Sequence, residues 1–394
     1  MPGPLHGYRV VDLTSMISGP LATMILADQG ADVIKIENPD GGDHTRAANN
    51  RRNGFSASFL NNNRNKRAVA LDLRDPAARE ALKRLVTTAD VFVQNFRPGV
   101  IDRMGLGEDV LRAVKPDLIY VSISGFGETG PYAGKPVYDP LIQGVSGLAS
   151  IQAGSDTERP RLVRTIVPDK MTAILASQAI TAALLARART GQGQHVRLSM
   201  LDAVIAFLWA SDMGSQTFVG EDIPQQEAAS FIDLIYATAT DHISAAVQSD
   251  KEWRALTRAL HKPGWLDDPR FKTPALRGKH IDDRLMLTQE VLLTRPAAEW
   301  LERLTAEGVP CAPVLTRSAM LHDPQVQANG IVVETEHPEA GTLRQARPAA
   351  RFSGTPATIR HGGRALGADT EAVLAELGYS AAEIAALQAR EHAA

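Results

Sequence analysis

Residues 8–43 read YRVVDLTSMISGPLATMILADQGADVIKIENPDGGD. The apolar run at 8–13 stops at Thr14-Ser15, as a buried strand does. Residues 21–28 place apolar side chains at helical spacing and stop at Gly30, residues 31–36 form a second strand, and 38–43 are turn-rich. Strand, helix and strand in so short a span describe a crossover unit, whose two strands must lie parallel.

The pattern continues outward. Further strands are expected at 68–71, 91–93 and 118–123, with a helix at 76–86. Strands separated by helices predict an α/β fold built on a mostly parallel, doubly wound sheet. Residues 168–188 carry apolar side chains at 171, 174, 175, 179, 180, 183 and 184, a long helix ended by Gly191 and Gly193. A strand at 195–199 and an apolar helix at 200–209 follow. Residues 220–230 are polar and mark a change of unit. The section 231–325 reads as a smaller α+β unit: short strands within 231–247, helices at 251–260, 281–292 and 296–307, and a buried strand at 309–315. The tail has short strands and a last helix at 381–391.

Composition narrows the function. The chain has 394 residues, 44% apolar and 22% charged, with a formal charge of −3 and 5% aromatics. That balance speaks against a nucleic-acid partner. No stretch approaches the roughly 20 apolar residues that cross a bilayer, and residues 1–9 lack the pattern of a secretory signal, so no membrane partner and a cytoplasmic location are expected. Cys311 is the only cysteine, which excludes an intrachain disulfide and a thiolate-cluster metal site.

Asp169 is the leading chemical candidate. It follows Pro168 at the start of the long helix, where the helix end is positive, and mostly apolar residues come after it. A carboxylate partly shielded from water is a better nucleophile. The same position equally suits an ordinary capping aspartate. Glycines 125, 127, 130 and 134 follow the strand at 118–123, and such a loop lets backbone approach a ligand. Basic and amide residues fall at strand ends: Lys35, Asn38, Arg46, Arg64, Lys66, Arg67, Arg74, Asn95, Arg97 and Arg103. At the carboxyl ends of parallel strands such groups hold phosphates, although about half are expected to be plain surface. The ten histidines show no metal spacing, so no metal is expected, and no GxSxG or Walker motif occurs. Cys311 reads as a packed small residue.

The chain as a whole resembles the class III CoA-transferase family, which takes in formyl-CoA and carnitine CoA-transferases and α-methylacyl-CoA racemases. The likeness runs through LHGYRVVDLT, SGPLATMILADQGADVIKIENPDGGDHTR, NRNKRAVALDLRDPAAREALKRLV, ADVFVQNFRPGVIDRMGLG, PDLIYVSISGFGETGPYAGKPVYDPLIQGVSGL and ARARTGQGQHVRLSMLDA, then DKEWRAL, GVPCAPV and HDPQVQANG.

The resemblance implies a large Rossmann-like domain from 1–225 and 326–394, a small domain at 226–325, and an interlocked homodimer in which each subunit threads through the other. Acyl-CoA is expected as substrate, with no tightly bound cofactor. Asp169 matches the family's catalytic aspartate, which passes through an acyl-aspartyl anhydride and an aspartyl-CoA thioester. The positions that match CoA contacts are Ile17, Ser18, Asn38, Leu71, Asp72, Leu73, Arg74, Asn95, Phe96, Arg97, Arg103, Met104, Lys135, Val137, Tyr138 and Asp139. Backbone N–H groups of the glycine-rich loop are expected to stabilise the oxyanions.

Four departures qualify this picture. Ile17 replaces the glutamine typical of formyl-CoA transferases, and Asn38 replaces an arginine. The glycine run of that subgroup is missing between residues 220 and 236. Tyr138 stands where racemases have a histidine base, which favours a transferase over a racemase or epimerase; a non-catalytic acyl-CoA-binding protein is the third reading. Specificity is expected from the loops at 15–18, 44–62 and 220–240, with Arg46, Arg51, Arg52 and Arg164 as partners for a second carboxylate on the acid.

Overall fold

Strand β1 (Arg9–Leu13) sends Val11 and Leu13 into one buried cluster and Val10 into another. Only a central strand covered on both faces buries both sides of its pleat. The computed structural model, which describes residues 2–220 and 234–391, builds a parallel sheet around it. Its strands are β1, β2 (Asp32–Glu37), β3 (Lys66–Ala70), β4 (Val91–Gln94), β5 (Ile119–Ser124) and β6 (His195–Ser199). They lie in the order β3-β2-β1-β4-β5-β6, and every pairing is parallel. The order reverses between β1 and β4. That is where the connections leave opposite sides and open a crevice at the carboxyl ends.

Helix α1 (Ser18–Asp28) joins β1 to β2, and α2 (Pro76–Val86) joins β3 to β4. Asp75 starts α2, its side chain accepting from the Ala77 N–H, with Pro76 at the first position. Further along come α3 (Glu108–Val114), α4 (Asp139–Val145), the long α5 (Val167–Thr190) and α6 (Met200–Trp209). Helix α5 ends at Gly191, whose φ of 71° is a conformation that glycine adopts without strain. One face of the sheet packs Leu82, Leu85 and Val86 of α2 with Phe92 and Tyr120. The other packs Ala22 and Leu26 of α1 with Ala173, Ala176 and Ile180 of α5.

Helix α5 corrects one expectation. It has 24 residues, an 18-residue stretch of which has a mean hydropathy of 1.4, long and apolar enough to cross a membrane. In the fold its small residues instead pack against α1 and the sheet.

The chain divides into two compact units. The sheet unit comprises 1–149, 161–213 and the tail from 330; the second comprises 150–160 and 214–329. In the second unit, β7 (Ile235–Ala237), β8 (His242–Ala245) and β9 (Cys311–Pro313) form an antiparallel sheet with β8 central. It packs with α7 (Asp250–Ala259), α8 (Ile281–Leu292) and α9 (Ala297–Glu307) around Trp253, Phe271 and Trp300. The strand expected at 309–315 shrinks to three residues, with Ala312 and Pro313 exposed. Prolines 310 and 313 remove backbone donors, which confines the segment to an edge. Residues 221–233, part of the expected specificity loop at 220–240 and of the expected strands, lie outside the described residues.

In the tail, β10 (Val332–His337) and β11 (Gly341–Ala346) form a hairpin, followed by α10 (Thr370–Glu376) and α11 (Ala381–Glu391). The hydroxyl of Thr370 accepts from the Ala70 N–H and the carboxylate of Asp369 from Ala68, so the tail covers the edge strand β3.

Candidate active site

The residues after β1 make a tight turn with an unusual backbone. Met16 has a φ of 70°, a left-handed conformation that costs a non-glycine residue roughly 1–2 kcal/mol. Gly19 is required where it stands, because a Cβ there would lie 2.4 Å from the Thr14 side chain. The turn delivers Ser18 as the first residue of α1. Ile17, at the N-cap, supplies no side-chain acceptor, so the first N–H groups of α1 need a partner from elsewhere.

Asp169 faces them: the backbone N–H and the hydroxyl of Ser18 act on its carboxylate and favour its ionised form. The carboxylate also sits in the first turn of α5, its own helix. Two helix N-termini thus meet at one group, each favouring negative charge. Burial and, next, the Asp139 carboxyl push the other way and lift the Asp169 pKa to about 6, with Ser18 pulling against them.

Asp139 opens α4 and is itself raised by burial. Gln143, one turn on, donates to its carboxylate at 2.6 Å, and the Asp169 backbone N–H pulls against the rise. The carbonyl of Gln143 accepts from the Val163 N–H at 2.9 Å, which ties the segment entering α5 to α4. Gly125 permits this arrangement: a Cβ there would lie 2.2 Å from Val137. The glycine-rich loop therefore serves the packing beneath Asp139. Its Gly127 N–H is bound by the Ser124 hydroxyl at 3.2 Å.

A cavity of 410 Å³ opens at the carboxyl ends of β1, β2, β3 and β4, at the reversal of strand order. Asn38, Leu71, Asp72, Leu73, Arg74, Phe96, Arg103 and Met104 all line it, together with Ser15 and Asp43. The other expected contacts lie elsewhere. Ser18 and Asp139 act on Asp169, Val137 packs with Val167 and Met171 of α5, and Ile17 is the N-cap of α1. Arg97 lines a neighbouring 540 Å³ cavity that shares Phe96 as a wall. Lys135, with its ammonium 3.7 Å from the centre of the Tyr132 ring, and Tyr138 are exposed. The Asn95 carboxamide is bound to Ser15.

Many of the basic residues at strand ends are taken by internal partners, against the expectation that they hold phosphates. Lys35 lies 3.0 Å from Asp43 and Lys66 lies 2.9 Å from Asp12, all four buried. Burial opposes the Lys35 charge, yet Asp12 and Asp43 hold its pKa above the ordinary value, whereas burial prevails at Lys66 and brings it down to about 8. Arg64 forks onto Asp28, Arg67 onto Asp32, and Arg74 onto Asp72. Arg46 forks onto Glu37 and lies over the Phe59 ring, so it is not free for a substrate carboxylate. Arg52 donates to the Thr342 carbonyl. Arg103 and Arg164 are exposed and have no acidic partner among the described residues. Nor is there, among them, a group of three or more acidic, histidine or cysteine side chains that would hold a metal.

A half-buried carboxylate with a raised pKa thus lies in the same unit as a parallel sheet with a cavity at its switch point. The chain belongs to CoA-transferase family III, whose model matches residues 5–370, and it is a class III CoA-transferase. It is 36% identical over 389 residues to the succinate–glutarate CoA-transferase of Agrobacterium fabrum, covering 95% of this chain and 96% of that one. It is 34% identical to formyl-CoA:oxalate CoA-transferase of Escherichia coli O157:H7, covering 98% and 99%. A CAIB/BAIF family protein from Brucella suis superposes with a TM-score of 0.83 at 31% identity, covering 96% of this chain and all of that one.

Proposed function

We propose that the enzyme transfers CoA between short dicarboxylic acids, with Asp169 as the covalent carrier. The observation that carries the reading is the placement of Asp169: ionised above about pH 6, largely withdrawn from water, and set in the first turn of α5 where Ser18 at the start of α1 faces it. An Asp169 oxygen attacks the thioester carbonyl, forming a C–O bond as the C–S bond breaks and CoA thiolate leaves. The thiolate then attacks the Asp169 carbonyl carbon of the anhydride, releasing the donor acid as carboxylate and leaving an aspartyl-CoA thioester. The acceptor carboxylate reverses both steps. Charge moves onto carbonyl oxygens in each attack, and the N-terminal ends of α1 and α5 at Asp169 favour that negative charge. Excluding water preserves the anhydride.

The 410 Å³ cavity is the proposed CoA site, with Arg103 as the open phosphate contact and Phe96 as an apolar wall. Asn38 and Asp72 line it beside Leu71 and Leu73, positions suited to a long, alternately polar and apolar chain. The dicarboxylic class is supported by the names of the relatives, including the human succinyl-CoA:glutarate CoA-transferase, 32% identical over 357 residues. Ile17 in place of glutamine argues against formyl and oxalyl groups.

The proposed assembly is an interlocked homodimer. Ile174 and Leu185 of α5 and Phe207 and Trp209 of α6 are each about half exposed, and a second copy would cover them.

The deciding experiment mixes the enzyme with succinyl-CoA, glutaryl-CoA and other acyl-CoAs and follows the protein by intact mass spectrometry, with borohydride or hydroxylamine trapping. An adduct on Asp169 that is absent from Asp169→Ala supports the reading. Deuterium uptake at the α-carbon from buffered D2O without an adduct would replace it with an isomerase.

A further inference from the structure

The turn that carries Ser18 does not hold itself. Its left-handed Met16 is unfavourable, and its own residues offer no side-chain cap to α1. Two side chains from other segments grip it. Asn95, immediately after β4, accepts from the Ser15 N–H at 2.9 Å and donates to the Ser15 carbonyl at 2.8 Å. The last registered pair of these strands is Leu13 with Gln94, so the Asn95 carboxamide bonds Ser15 just beyond the point where the β1–β4 pairing ends. Asp43 accepts from the next N–H, that of Met16, at 3.2 Å. Asp43 is fixed in turn by Thr45, at 2.8 and 2.9 Å, and by Lys35, whose ammonium also donates to the Thr14 carbonyl at 2.7 Å.

Two N–H groups of the turn are therefore held from outside it, Ser15 by Asn95 and Met16 by Asp43, while Ser18 faces Asp169. We propose that Asn95 and Asp43 are positioning residues that hold the turn in its left-handed form so that Ser18 stays on the Asp169 carboxylate. The inference rests on Asp169 being the nucleophile. It gives Asn95 a role other than the CoA contact suggested by its match to the family: both polar atoms of its side chain are already bound to Ser15. Strain at an active-site turn persists only where its surroundings over-determine it, and these two residues are the surroundings.

The test uses the full-length enzyme and a compensating substitution. Asn95→Ala removes one grip, so the turn relaxes out of the left-handed region and Ser18 leaves Asp169. The first-order rate of Asp169 adduct formation at saturating acyl-CoA is expected to fall at least thirtyfold, with the Kd for CoA from calorimetry changed less than threefold. Adding Met16→Gly removes the penalty for positive φ and should restore on the order of fivefold of that rate. A CoA contact would behave in the opposite way: the Kd would rise and the glycine would restore nothing, and either result overturns the proposal. Asn95→Asp gives the second reading where Asn95→Ala does not fold. It retains an acceptor for the Ser15 N–H but opposes the Ser15 carbonyl with negative charge, and the same loss and rescue are expected. If the unsubstituted enzyme exchanges CoA but never carries an adduct on Asp169, the functional reading fails instead, independently of the Asn95 results.

Discussion

Ser18 opens one helix and Asp169 lies in the first turn of another, and the Ser18 N–H and hydroxyl act on the Asp169 carboxylate. Ser18 favours the ionised form of this proposed nucleophile, against the burial and the Asp139 carboxyl that raise its pKa. Catalysis should therefore follow the ionisation of Asp169. The rate of adduct formation is expected to be flat above pH 7 and to fall tenfold per pH unit well below about 6. A stopped-flow or quench profile with an acid limb near the ordinary aspartate value of 4 would show that burial does not govern the group.

Asp139 supplies the second contribution that raises Asp169. Asp139→Asn retains a side chain that bonds Gln143 but removes the competing carboxyl. The acid limb should move to lower pH, and the rate at pH 8 should drop only severalfold, because ionised Asp169 becomes less basic. A limb that stays put, or moves up, would mean that the two carboxyls do not share their protons as the geometry indicates.

A raised carboxyl pKa has a cost in stability with a definite sign. Asp169 binds its proton more tightly folded, with a pKa of about 6, than unfolded, near 3.8. Stability from this group is then greatest below about pH 4, declines as pH rises through 6, and stays low above. The penalty is on the order of 2–3 kcal/mol. Asp169→Asn, which cannot ionise, should unfold at a higher temperature than the parent at pH 8 and show little gain at pH 4.5. Differential scanning fluorimetry at both values checks this, and equal shifts would remove the electrostatic explanation.

Much of this was legible in the sequence, and the illegible part has a physical pattern. Strands and helices with strong periodicity were readable: 195–199, 200–209 and 281–292 fall where the spacing puts them. Helix α3 and the short helix Ala57–Asn63 were not, because seven residues are too few for a period to declare itself. Asp169 stands out from its place after Pro168 and from the family resemblance, and its role is the proposal made above. The residues around it do not stand out: Asp43 lies in a glycine-rich turn that resembles any solvent loop, and Lys35 reads as one more basic residue at a strand end until β2 proves central and buries it. Whether a charge holds a phosphate or another side chain depends on three-dimensional neighbours, which no local spacing records.

Arg103 and Arg74 both line the 410 Å³ cavity, yet they are not equivalent. Arg74 is forked onto Asp72 at 2.8 and 2.9 Å, so most of its charge is answered within the protein. Arg103 has no such partner among the described residues. Arg103→Ala should weaken CoA about tenfold and reduce the salt dependence of binding, while Arg74→Ala should cost less than threefold. Titration calorimetry at two ionic strengths separates them, and the reverse order would relocate the phosphates.

Selection of a dicarboxylic acid requires a cation for the carboxyl that does not react. Of the four arginines considered for this, Arg46 is forked onto Glu37 and Arg52 is spent on a backbone carbonyl. Arg51 is exposed and makes only a long bond of 3.4 Å to the Gly54 carbonyl. Arg164 remains, exposed and five residues before Asp169, on a segment fixed by the bond from Val163 to Gln143. A charge-assisted bond to the distal carboxylate contributes about 1.5–3 kcal/mol, so Arg164→Ala should raise the KM for succinate or glutarate about tenfold or more. The KM for a monocarboxylic acid of similar length should not change, because it never used the cation. Steady-state kinetics with matched mono- and dicarboxylic acceptors reads both at once; equal losses on the two would make Arg164 a structural residue, and no loss on either would return the choice to Arg51.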